Sequence, residues 1–262
     1  MMNSVSRRTK FLISTIFYLF GILFFDFANF SKYIFLGAAL FVVFIINLIA
    51  LYPGYRLRDV VLISYLPLVL VSSTILGLIF FPNLSAFFKY LLMFFSGAFF
   101  YLSMLINNLI IAEKIEDTSL PLFRVGQVWL QILLIILTIP FITVVYKFNL
   151  HFYFHSLAIF VYLFISSYVY LHTYLISKTD QVSTKEYILL LIEMTYLPLV
   201  ASIATSFIPA ESFFRATFVT SVYMAMVSYA RNYIDNSLNK KLLIQYLVIC
   251  TFFLLVLIVF KP

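Results

Sequence analysis

The chain has 262 residues, of which 64% are hydrophobic and 10% charged, with a formal net charge of +7. An ordinary soluble domain, whose surface needs about 25% charged residues, is excluded, and the surplus apolar surface is suited to lipid. Basic residues come in twos and threes rather than on one clustered face, which argues against nucleic acid as a partner, and the single cysteine, Cys250, excludes an intrachain disulfide.

A spanning helix needs about 20 mostly apolar residues, and nine stretches supply them. The first, near 11–30, follows Arg7, Arg8 and Lys10, an arrangement that mimics a secretory signal. No small-x-small cleavage site follows it, and more apolar runs begin within a few residues, so an uncleaved span is expected. The next three are expected near 33–52, 60–81 and 88–112. Five more follow near 125–146, 152–176, 187–208, 213–233 and 242–260. Connections are short, so the expectation is an all-α polytopic bundle with no inserted soluble domain. The eighth stretch is the weakest, since it carries Thr217, Thr220, Ser221 and Ser228 and ends at Arg231.

Lysine and arginine resist translocation while acids matter little, so basic residues orient the spans. Arg7, Arg8, Lys10, Arg56, Arg58, Lys114, Arg124, Lys178, Lys185, Arg231, Lys240 and Lys241 fall on the N-terminal side. Only Lys32, Lys89, Lys147, Arg215 and Lys261 fall on the other. Nine spans in a cytoplasmic (inner) membrane, with the N-terminus inside and the C-terminus outside, follow from that imbalance. Tyr52, Tyr55, Tyr146 and Tyr153 are placed to serve as interfacial anchors.

Several short matches recur four spans apart. Ser64-Tyr65-Leu66-Pro67-Leu68-Val69 parallels Thr195-Tyr196-Leu197-Pro198-Leu199-Val200. Each is followed by a Pro-led loop, at Pro82 and Pro209, and then by Phe87-Phe88-Lys89 or Phe213-Phe214-Arg215. Upstream, Ala39-Leu40-Phe41-Val42 parallels Ala158-Ile159-Phe160-Val161, whereas Pro140 has no counterpart in the first span. The order of the matches favours a parallel repeat, with halves at 1–123 and 124–240 and a terminal helix at 241–262, over chance among apolar helices. Pro67 and Pro198 would then be equivalent hinges or packing kinks.

Ionisable groups inside a membrane are the default functional candidates, because burying a charge there costs at least about 2.5 kcal/mol. Glu193 is the clearest, two turns or so into the seventh span, with Arg124 and Arg231 as candidate partners. Asp26 sits near the outer end of the first span, where water is within reach. Asn47, Asn107, Asn108, Gln127, Gln131 and Gln245 lie toward the inner ends. Gln127 and Gln131 share a helix face. With Glu193 these amides could line a polar vestibule open to the cytoplasm, or they could bond between helices near the headgroups.

His151 and His155 also share a face, but no acid or thiol nearby completes a metal site, and His172 is too distant. No cofactor is expected. There is no mid-span lysine, metalloprotease or hydrolase motif, phosphate-cradling glycine loop or Asp-rich cluster, and the acids of Glu113-Lys114-Ile115-Glu116-Asp117 belong to an extramembrane loop.

Asn107-Asn108, then Leu120-Pro121-Leu122-x-Arg124 opening a span at Gly126-Gln127-Val128, resembles uncharacterised multi-span families of small-genome bacteria. The likeness covers about 40 residues of this 262-residue chain and implies an inner-membrane location. It implies no activity. Two functions from different classes are therefore expected: a carrier or flippase-like protein for a small or lipidic solute, or a non-catalytic subunit or scaffold whose partners are lipids and other membrane subunits.

Overall fold

A computed structural model describes residues 7–27, 32–52, 55, 59–81, 83–116, 121–148, 151–176 and 182–260. The expected topology residues Arg56, Arg58, Lys178 and Lys261, the loop residues Pro82 and Asp117, and the side chains of Asp26 and Glu116 lie outside the described residues. The fold is all-α, as its composition implies. The helices are α1 (Arg7–Phe27), α2 (Lys32–Leu51), α3 (Val60–Phe80), α4 (Ala86–Glu116), α5 (Pro121–Lys147), α6 (Phe152–Leu175), α7 (Thr184–Ser206), α8 (Ser212–Ile234) and α9 (Lys240–Val259).

All but α8 are long and apolar enough to cross a bilayer, which makes the chain a multi-pass membrane protein. α8 has the length, 23 residues or about 34 Å at 1.5 Å per residue, but lacks the hydropathy. Packing explains the deficit. Ala216, Val219, Thr220, Tyr223, Val227, Ala230 and Ile234 form a buried stripe at helical spacing, so several of its polar side chains are sheltered by neighbours rather than offered to lipid.

The helices group into two compact units, Met1–Leu133 and Leu134–Pro262, with the division falling inside α5. The first unit is centred on α3, whose spanning stretch is 61% buried, the largest share of any helix. Arg7 Nη1 donates to Asn108 Oδ1 at 3.0 Å, and Lys114 pairs with Asp59 at 2.6 Å. The start of α1, the start of α3 and the end of α4 therefore share one end of this unit. Tyr18 of α1 stacks on Phe100 of α4 with ring centroids 4.4 Å apart. Beside them Gly97 leaves room for Leu19, since a Cβ at Gly97 would stand 2.8 Å from a Leu19 methyl.

In the second unit α7 packs between α6 and α8, and α8 between α7 and α9. α7 opens on a capping box: Ser183 Oγ accepts from the Glu186 amide, and the Glu186 carboxylate accepts from the Ser183 amide at 2.8 Å. Ser-x-x-Glu before an apolar run is the sequence mark of such a start. α9 lies at the edge of this unit, with only 6% of its spanning stretch buried.

The expected ends hold to within about four residues, α1 and α5 starting earlier than expected and α4 ending later. It continues past residue 112 to Glu116, so Glu113 is a buried helical residue at 6% exposure rather than part of a loop. Tyr146 departs from its expected role as well. Tyr52 and Tyr153 are exposed, as anchors should be, but Tyr146 is 7% exposed, because its hydroxyl is drawn inward by partners on α7.

Candidate functional site

Proline at position i leaves the carbonyl of residue i−4 without its helical donor. In α3 that carbonyl belongs to Ile63, and the first unit answers it with two side-chain amides. Asn47 of α2 donates to Ile63 O at 3.1 Å, and Asn107 of α4 donates to the same oxygen at 2.5 Å. A carbonyl can only accept, so both amide nitrogens must face it. Asn47 and Asn107 are 0% and 1% exposed, a setting in which an unanswered carbonyl would cost about 1–3 kcal/mol. Asn47 also reaches Ser64 Oγ at 3.3 Å, while its own Oδ1 is buried without a partner among the described residues.

Seven residues beyond each proline stands a threonine tied to a tyrosine of another helix. In the first unit Tyr18 donates to Thr74 Oγ1 at 3.3 Å. In the second, the Tyr146 hydroxyl lies 3.0 Å from Thr205 Oγ1 and 2.8 Å from Ser202 Oγ, and it donates to Ser202 O at 3.0 Å. The guanidinium of Arg215, at the start of α8, sits 5.8 Å from the centroid of the Tyr146 ring.

The carbonyl freed by Pro198 is that of Met194. No side-chain amide bonds to it among the described residues. Where the register pairing Ala39 with Ala158 would put the equivalent of Asn47, α6 carries Ser166, buried and without an amide to give.

Immediately before Met194 on α7, Glu193 borders a groove of about 470 Å³ walled by α7, α8 and α9. Its lining includes Ile192, Tyr196, Leu197, Tyr229, Leu243 and Tyr246, so a single carboxylate meets apolar side chains and three tyrosines. Glu193 is half-buried and makes no hydrogen bond or ion pair among the described residues. It lies within electrostatic reach of the Tyr229 hydroxyl. Asn232 Nδ2 donates to the Tyr246 hydroxyl at 2.7 Å, which fixes that ring from α8 and leaves the tyrosine its own proton to donate.

The other residues singled out in the sequence have local settings of their own. Arg231, an expected partner of Glu193, lies 4.0 Å from Asp235. In the first unit Asn107 is engaged on Ile63 and Asn108 accepts from Arg7, while Arg124 is exposed and Gln127 and Gln131 are half-buried on α5. The histidines are engaged locally: His151 stacks on Tyr153, His172 stacks on Tyr168, and His155 Nε2 meets the Phe148 carbonyl at 2.8 Å.

Sequence reasoning missed the two ties to Ile63 and the tyrosines of the groove. Counting back four residues from Pro67 would have flagged the carbonyl, but nothing in the sequence says which helix answers it. Comparison of the chain with protein families, curated proteins and solved structures finds no match.

Proposed function

We propose that the protein is a carrier or flippase-like transporter of a small or lipidic solute, with Glu193 as its coupling or gating group and the kink at Pro198 as the hinge beside it. The observation that carries this reading is the setting of Glu193. A carboxylate nine residues into a membrane helix, bordering a groove and unpaired among the described residues, is costly to keep unless it is used. Asn107, Asn47 and Pro67 take a different role, as the fixed frame of the first unit. The matched Tyr–Thr ties seven residues past Pro67 and Pro198 support a parallel duplication of four helices, with α9 added.

The distribution of basic residues supports a cytoplasmic membrane with the N-terminus inside, as does the resemblance to inner-membrane families. A reporter fused after residue 236 is then cytoplasmic, and an external signal there overturns the orientation.

Purified protein in liposomes tests transport directly, by following the inward and outward movement of a fluorescent phospholipid with a membrane-impermeant quencher. Glu193→Gln is expected to abolish movement while leaving thermal stability unchanged. Loss of stability with transport intact would make Glu193 structural.

A second reading, as a membrane subunit or scaffold, is favoured by α9, which exposes Ile244, Leu247, Phe252 and Val259 along nearly its whole length. It predicts stable co-purification of another membrane protein that is lost when α9 is made polar at those positions.

A further inference from the structure

Resting on the carrier reading, we infer that the α7–α8–α9 groove binds the ammonium group of a zwitterionic membrane phospholipid, held by Glu193 and by the aromatic wall of Tyr196, Tyr229 and Tyr246. Charge is the first argument. Glu193 is the tenth residue of α7, about 14 Å along the helix at 1.5 Å per residue. A carboxylate at that depth disfavours anionic ligands and is stabilised by a cation.

The second argument is the company the carboxylate keeps. Tyrosine rings attract alkylammonium groups through their π-faces, and the attraction strengthens where water is thin. Three tyrosines from three helices border this one groove, and Tyr246 is held in place by Asn232. Ile192, Leu197, Ala225, Met226 and Leu243 complete the lining, and Ile192, Leu197 and Leu243 are exposed on membrane-spanning helices. Such a lining suits a ligand that also carries hydrocarbon. At about 470 Å³ the groove is of ordinary ligand-site size, large enough for a head group with part of its chains.

The third argument selects a phospholipid over a simple long-chain amine. Lys240 is exposed at the first residue of α9, three residues before Leu243 and so on the same helix face. It stands one turn nearer the helix end than Leu243, which offers a cation on that face to the phosphate of a lipid whose ammonium has reached Glu193. A glycerol head group would bring the phosphate without the cation that Glu193 calls for.

The test is binding to the full chain in an uncharged maltoside detergent, read as the shift in thermal unfolding on titration. Lysophosphatidylethanolamine and lysophosphatidylglycerol of the same chain length serve as probes. The ethanolamine lipid is expected to bind at least about tenfold more tightly, a difference of about 1.4 kcal/mol, and Glu193→Gln should erase the preference. Tyr229→Leu should weaken the ethanolamine lipid severalfold, whereas Tyr229→Phe, which keeps the ring, should not. Equal binding of the two lipids, or a preference that survives Glu193→Gln, overturns the inference. Should Glu193→Gln fail to fold, the Tyr229 pair decides: a preference unchanged in Tyr229→Leu overturns it equally. Ammonium-selective binding without movement in liposomes would sink the carrier reading alone, and movement without that selectivity would sink this inference alone.

Discussion

The two proline helices, α3 and α7, share a motif and are held by different means. α3 is anchored through tertiary contacts. Asn47 and Asn107 supply the carbonyl that Pro67 strands, Tyr18 holds Thr74, and its N-cap Asp59 makes no capping bond but pairs with Lys114 instead. α7 keeps the tyrosine tie near its far end, yet its start is capped by its own Ser183–Glu186 box and its stranded carbonyl receives no amide among the described residues. Only 39% of its spanning stretch is buried, against 61% for α3. One proline is built into a frame. The other stands beside the groove that holds Glu193, where a change in kink would change the groove.

The sharpest way to break this comparison is to remove one of the two amides on Ile63, that of Asn107. Asn107→Leu should cost about 2 kcal/mol, within the range for a buried polar group left short of partners, read as a lowered unfolding midpoint in detergent. Pro67→Ala restores a backbone donor for Ile63, so in that background the same substitution should cost much less. A double-mutant cycle measures this coupling, and none is expected between Asn107→Leu and Pro198→Ala. Additivity at Pro67 would refute the assigned role.

Next in size are the tyrosine ties. Tyr146→Phe forfeits contacts to Ser202 and Thr205 and should cost about 1.5 kcal/mol, while Tyr18→Phe, with its longer bond to Thr74, should cost nearer 0.5 kcal/mol. Equal losses would mean that the two ties are energetically alike despite their geometry.

Ser183→Ala should cost about 1 kcal/mol as a lost N-cap, measured by thermal unfolding. Asp59→Asn retains N-cap chemistry, so its effect should come through Lys114 and vanish in a Lys114→Met background.

Gly97→Ala is the mildest, at about 0.5–1 kcal/mol, the low end of overpacking costs. The atom a new methyl would meet is the tip of Leu19, which can turn aside. A loss of several kcal/mol would show that the α1–α4 approach cannot give.

Much of the architecture was legible in the residues alone. Apolar runs of spanning length and short connections specify a helical membrane protein, because a backbone in lipid must satisfy its own hydrogen bonds. The motif shared by Pro67 and Pro198 is likewise visible there, as is Glu193 as a charge within an apolar run. Pairings between helices were not legible. Asn107 suited either a vestibule or a hydrogen bond between helices, and Tyr146 looked like a surface anchor, since residue type reports a side chain's needs and not its neighbours. Which carbonyl Asn107 answers, and that Glu193 meets tyrosines and leucines, depends on the rotation of each helix about its axis. In a helix hydrophobic on every side, sequence periodicity leaves that rotation open, and only tertiary packing fixes it.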